Sequence, residues 1–174
     1  MEQCQALCRI YAPKSFANAI RWARYLEALA DDYLKFMVLE LKPFIDGHYS
    51  TDGKDFVMGS SMGALISLYA LSEYPHIFKA ACLSTHWPAC QEKGLDYFAT
   101  LVPQAGKHRL YFDYGTLGLD ADYEPYQQKM DGHLRLKGYQ LGKDWQSLKF
   151  VGADHNEISW RERLGGVLGF LIEP

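Results

Sequence analysis

The chain has 174 residues, 48% of them hydrophobic, a length and composition that suit one globular domain with a sizeable core. Its formal net charge of -3, from 18 Lys and Arg against 21 Asp and Glu, supplies no basic stripe to neutralise a phosphate backbone, which argues against nucleic acid as a partner. No window approaches the roughly 18 apolar residues a bilayer span needs, and residues 1–12 lack the basic start and apolar run of a secretion signal; a soluble cytoplasmic protein with no membrane partner is expected.

Residues 1–30 carry no assignable pattern. From Asp31 to Ile45 the apolar positions Leu34, Met37, Val38, Leu41 and Ile45 recur at one-face helical spacing, with Asp31 and Asp32 at the positive end of the helix. Residues 55–59 form a short apolar run. After Gly59-Ser60-Ser61-Met62-Gly63, helical spacing resumes at Leu65, Leu68 and Tyr69 and stops at Tyr74-Pro75. This is strand, tight turn, helix.

Further buried strands are expected at 78–85, 108–116 and 147–154. Tyr123, Tyr126, Met130 and Leu134 mark a helix ending near Gly138, and Ile158 to Ile172 a final one. The 86–106 segment, with Pro88, Gly94, Pro103 and Gly106, reads as an excursion. Strands alternating with helices imply α/β architecture: three layers, with a mostly parallel sheet covered on both faces. One domain spanning 1–174 is expected, with 1–30 unassigned.

Gly59-Ser60-Ser61-Met62-Gly63 fits G-x-S-x-G, in which small neighbours let a strained strand-to-helix turn expose the central hydroxyl. Ser61 is the candidate nucleophile. The helix start supplies a free N–H at Met62 and a positive dipole end, suited to the oxyanion of an acyl-transfer intermediate. A serine hydroxyl needs a base to take its proton and an acid to orient that base, following in the chain order serine, acid, histidine.

Of the 6 histidines, His155 alone lies after the last expected strand and before the last helix, on the strand-end side that carries Ser61. It is the candidate base. His86 also follows a strand at that edge but precedes any acid; His48, His76, His108 and His133 read as surface or packing residues. For the acid, "YFDYGTLGLDADYEPY" offers Asp113, Asp120, Asp122 and Glu124. Asp113 belongs to the strand and could brace the turn. Asp120 lies in the loop beyond two glycines, where a carboxylate can reach a neighbouring strand end, and is preferred; Asp122 reads equally well as a helix N-cap.

Trp87, Tyr97 and Phe98 could line an acyl or aromatic pocket above Ser61, or simply cover the core. No phosphate-binding glycine loop is present, so no cofactor is expected. Cys4, Cys8, Cys82 and Cys90 show no paired ligand spacing and no H-x-x-x-H occurs, so no metal is expected.

The blocks "GSSMGALISLYALSEYPHIFKAACLST", "YFDYGTLGLDADYEPYQQKMDGHLRLKGY" and "FVGADHNEISWRERL", in this order, resemble the putative esterase (esterase D-like) family of α/β-hydrolases over about residues 30 to 174. The resemblance implies a serine hydrolase or acyltransferase acting on a small-molecule carboxylic ester, with Ser61 as nucleophile, His155 as base and Asp120 as acid. Some relatives work with a serine-histidine pair alone. Members of the family carry early strands, and a loop donating a second oxyanion N–H, ahead of the 31–45 helix; this chain is expected to represent the C-terminal part of the fold, with those N-terminal strands missing. The strand at 55–59 would then be an open hydrophobic edge, through which self-association is expected. The rival reading is a catalytically impaired hydrolase fold serving as a binding or assembly module.

Overall fold

The computed structural model describes residues 29–172. The chain divides into two compact units, Met1–Lys54 and Asp55–Pro174. Within the first, α1 (Ala30–Phe36) continues through a π-helical turn (Met37–Leu41) into α2 (Lys42–His48). Pro43 has no N–H to give and its ring would crowd the carbonyl of Leu39, and the wider π turn beneath it relieves both. The π turn also breaks the helical phase. Of the predicted stripe only Leu34 is buried, while Leu41 and Ile45 are exposed. Asp31 and Asp32 lie in the first turn, as read from the sequence.

The second unit is a parallel sheet of four strands in the order β1-β2-β3-β4, formed by β1 (Asp55–Ser60), β2 (Phe78–Leu83), β3 (Leu110–Tyr114) and β4 (Trp145–Lys149). Parallel neighbours require crossover helices. These are α3 (Met62–Glu73), α4 (Trp87–Leu101) and α5 (Glu124–Leu136), with α6 (Glu157–Ile172) closing the unit. The central strands β2 and β3 are nearly wholly buried, which is why they read as continuous apolar runs.

Strand alternation sends Ala81, Leu83 and Tyr111 to one face, where Val167, Phe170 and Leu171 of α6 cover them. Phe112, one residue on from Tyr111, faces the other way and meets Trp87 of α4 at 6.4 Å between ring centroids. Helix α3 lies against β1 and β2 and is buried without a break from Ala64 to Leu71. A helix apolar all round must be covered all round. Lys79 and Arg109, at the starts of β2 and β3, each donate at 2.9 Å to a terminal carbonyl of α6, those of Leu171 and Phe170. Cations there satisfy orphan acceptors and oppose the negative end of the helix.

Two expectations need correction. The 86–106 excursion is mostly α4, because Pro88 sits in the first turn, where its missing N–H costs nothing. The last strand ends at Lys149 rather than Asp154; after the Phe150 N–H bonds Tyr114 O, the chain turns at Gly152, φ 84°, leaving Val151 exposed. Among the described residues β1 has one neighbour, β2, and exposes Phe56 and Met58. No helix among the described residues is long and apolar enough to cross a membrane.

The two glycines of the pentapeptide differ. A Cβ on Gly59 would collide with the backbone carbonyl of Gly63, whereas a Cβ on Gly63 would meet open space. Gly59→Ala should therefore destabilise the fold by about 1–3 kcal/mol or prevent folding, while Gly63→Ala, in a helical position, should be neutral or stabilising by up to roughly 1 kcal/mol. Urea unfolding midpoints of the two variants test the contrast.

Candidate active site

All four strands run the same way, so their carboxyl ends deliver residues 61, 84, 115 and 150 to one edge of the sheet. Ser61 joins β1 to α3 with φ 55° and ψ -120°, a backbone conformation that non-glycine residues rarely hold. Its N–H donates to Leu83 O at 3.0 Å, continuing the sheet ladder one step past β1, and its carbonyl accepts from Ala64 N–H at 3.2 Å as α3 begins. The strand fixes one side of the turn and the helix the other. Met62 is the first residue of α3, where the dipole of a twelve-residue helix places its positive end.

Asp120 sits in a 3₁₀ turn (Gly118–Asp122) and is 1% exposed. Its Oδ1 accepts from His155 Nδ1 at 2.7 Å; its Oδ2 accepts from the Ser84 hydroxyl at 2.6 Å and the Gly115 N–H at 2.7 Å. Burial pushes its pKa up, but the hydrogen bonds from His155, Ser84 and Gly115 outweigh burial and hold the carboxyl below the ordinary range. Asp120 is therefore a carboxylate, and His155 Nδ1 must carry the proton it donates, leaving Nε2 free to act as a base.

Backbone bonds set this pairing. Thr116 and Leu117 both donate to Ala153 O, at 2.9 and 3.0 Å, and Gly152 N–H donates to Thr116 Oγ1 at 2.8 Å, so the loop after β3 is stitched to the loop after β4. Glycines allow the approach: a side chain on Gly115 would strike Ala153 O, and one on Gly118 would strike Asp154. The His155 ring stands edge-on against Trp160, centroids 5.0 Å apart at 82°.

The structure brings Asp120 and His155 together. Asp122 is exposed and reaches neither His155 nor the start of α5, whose N-cap is Tyr123. Among the described residues no hydrogen bond joins the Ser61 hydroxyl to His155. His86 neighbours both: its backbone N–H approaches the backbone carbonyl of Ser61 at 3.4 Å, and its ring lies 5.8 Å from that of His155. Catalytic contacts in ligand-free enzymes are often long and tighten with substrate. Trp87 is placed in the core: it is fully buried, packs on Phe98 and Phe112, and donates to Gln127 at 3.1 Å, so it has no surface to offer a ligand. Among the described residues no cluster of three or more His, Cys, Asp or Glu could hold a metal.

Sequence reasoning missed Ser84, Tyr123, Trp160 and Arg163. The Ser84 hydroxyl donates to Asp120 and accepts from Trp160 Nε1 at 3.0 Å and Arg163 NH2 at 3.2 Å, which uses its full hydrogen-bonding capacity. Like Ser61 it has a positive φ, 44°. The strand expected at 78–85 placed Ser84 inside it, whereas the strand ends at Leu83 and leaves Ser84 at the same edge as Ser61. Asp113, in β3, accepts from Ser84 N–H at 3.2 Å and pairs with Arg163 at 3.3 Å. Burial pushes its pKa up to about 6, with the Arg163 charge opposing.

A family model described as putative esterase matches residues 23–171. A search of curated proteins finds no match. Among solved structures, the enterobactin esterase FES from Shigella flexneri, crystallised in the presence of 2,3-dihydroxy-N-benzoyl-glycine, is 23% identical, with a TM-score of 0.57 over 82% of this chain and 38% of that one. BES protein from Bacillus cereus is 18% identical, with a TM-score of 0.66 over 98% of this chain and 65% of that one. The enterobactin hydrolase IroE in complex with DFP is 15% identical, with a TM-score of 0.68 over 98% and 66%. The likeness is one of fold, and the chain spans between 38% and 66% of the length of these three structures.

The Asp113 shift predicts a pH dependence of stability. Because the folded pKa, about 6, lies above the ordinary 3.8, the native state binds a proton between those values that the unfolded state does not. Stability from this group is thus present below about pH 4 and is lost as pH rises through 6, by at most about 3 kcal/mol. Asp113→Asn should remove that fall, measured as unfolding midpoints at pH 4.5 and pH 7. Ser84→Ala, which strips Asp120 of a donor, leaves Trp160 Nε1 without its acceptor and leaves Arg163 NH2 with Asp113 alone, should cost about 1–3 kcal/mol in the same assay.

Proposed function

The chain belongs to the putative esterase family, and from that premise we propose that it is a serine hydrolase cleaving a carboxylic ester through an acyl-enzyme on Ser61. The observation that carries this reading is the 2.7 Å bond from His155 Nδ1 to the buried Asp120 carboxylate, formed at the sheet edge where Ser61 occupies its strained turn. With Nδ1 committed to Asp120, His155 Nε2 takes the Ser61 proton as the oxygen attacks the ester carbonyl. Asp120 holds the ring and stabilises the imidazolium that forms.

The carbonyl oxygen becomes an oxyanion, toward which the Met62 N–H and the positive end of α3 are available donors. Collapse of this intermediate expels the alcohol, which receives the proton from His155 Nε2. Water then attacks the acyl-enzyme, His155 again acts as base, and the carboxylic acid leaves as Ser61 regains its proton. The solved structures named as enterobactin esterases support ester hydrolysis as the reaction class.

The test is labelling with a fluorophosphonate probe, together with turnover of short-chain p-nitrophenyl esters. Wild type should label and turn over. Ser61→Ala and His155→Ala should lose both, and Asp120→Asn, which permits the wrong tautomer, should lower kcat on the order of 10⁴-fold. A folded wild-type sample that never labels, or labelling that survives Ser61→Ala, refutes the assignment.

A further inference from the structure

One group at this edge has no role in the steps above. His86 follows β2 and is half-buried; its backbone N–H faces the backbone carbonyl of Ser61 at 3.4 Å, and its ring is 5.8 Å from that of His155. Its Nδ1 lies 2.9 Å from the Tyr123 hydroxyl, and the same hydroxyl lies 3.4 Å from His155 Nδ1. Tyr123 is 1% exposed, so its proton goes to a protein partner.

Donor accounting decides which partner. His155 Nδ1 carries a hydrogen given to Asp120 and cannot accept another. The Tyr123 proton is therefore directed to His86 Nδ1, and a neutral imidazole accepting at Nδ1 carries its own hydrogen at Nε2. Burial and the neighbouring His155 lower the pKa of His86, against an opposing effect of Asp120, which favours that neutral form. Among the described residues no hydrogen bond engages His86 Nε2. A half-buried N–H donor with an assigned tautomer thus lies on the side chain whose ring neighbours His155 and whose backbone adjoins the Ser61 turn, with no acceptor among the described residues.

We propose that His86 is a specificity-determining residue whose Nε2–H donates to an acceptor oxygen carried by the ester beside its scissile bond, so that such esters are favoured over plain alkyl esters. This rests on the serine hydrolase reading above. The donor acts on substrate and not on the proton relay, because His155 already has both ring nitrogens assigned. A site with a buried polar donor discriminates against substrates that leave it unpaired.

The experiment compares p-nitrophenyl methoxyacetate with p-nitrophenyl butyrate, which differ by an ether oxygen in place of one methylene. Each kcat/KM is divided by the rate with hydroxide, to remove intrinsic reactivity. A second arm compares the butyrate esters of 2-methoxyethanol and butanol, placing the acceptor on the alcohol side. Wild type should favour the oxygen-bearing ester in one arm by about 3- to 10-fold after correction, the range of a single neutral hydrogen bond. His86→Phe should bring that ratio to about one. His86→Gln, whose amide can place an N–H near the Nε2 position, should retain most of it; His86→Asn, which is too short to do so, replaces the Phe variant if that protein does not fold. A corrected ratio near one in both arms for wild type, or one unchanged by His86→Phe or His86→Asn, overturns the proposal while fluorophosphonate labelling of Ser61 leaves the hydrolase reading intact. Absence of Ser61-dependent labelling and turnover overturns both.

Discussion

The buried carboxylate of Asp120 is the point on which the site turns. Removing such an ion from water costs several kcal/mol unless its oxygens find donors. Three converge on it: an imidazole from the loop after β4, a hydroxyl from the end of β2, and a backbone N–H from the loop after β3. Each comes from a different strand end. One side chain thereby ties together the carboxyl edges of three strands, and the geometry of His155 follows from satisfying a charge that could not otherwise be buried there.

Sheet geometry accounts for the two strained serines. Sheet register pairs Ser60 with Leu83, so Ser61 and Ser84 occupy equivalent positions just beyond adjacent strands. Both are held at positive φ by ladder bonds that run one step past the strand, from Ser61 N–H to Leu83 O and from Ser84 N–H to Asp113 O. Strain of about 1–3 kcal/mol per residue persists only where its surroundings over-determine it. Two neighbouring hydroxyls are left with different environments. That of Ser84 is enclosed by Asp120, Trp160 and Arg163, and that of Ser61 belongs to a half-exposed residue with no such enclosure.

What could be read from the sequence was local or topological. The strand, turn and helix around Ser61 show in periodicity because each is set by residues within a few positions of one another. Asp120 could be preferred over Asp122 because two glycines preceded it, and Gly115 and Gly118 are the residues that let its loop approach the one bearing His155. What stayed hidden depends on distant partners. Ser84 meets Arg163 across 79 positions and Trp160 across 76, and His86 meets Tyr123 across 37. Pro88 and Gly94 disguised α4, and Phe150 and Val151 extended β4 on paper, because composition does not distinguish a first-turn proline from a breaker or an exposed apolar turn from a strand.

The layer behind the carboxylate is less well satisfied than the carboxylate itself. Arg163 pairs one nitrogen with Asp113 and Ser84, yet among the described residues its Nε and NH1, and Asp113 Oδ2, have no hydrogen-bond partner. Replacing such a pair by apolar side chains is often neutral or stabilising in other proteins, so stability alone gives little reason for it. Its geometry gives a better one. Arg163 and Trp160 lie one turn apart on α6 and both donate to the Ser84 hydroxyl, which leaves that hydroxyl its own proton and a single direction in which to send it, toward Asp120. An apolar core behind Ser84 would leave the hydroxyl free to rotate, and Asp120 would lose the fixed donor that helps keep it ionised against His155.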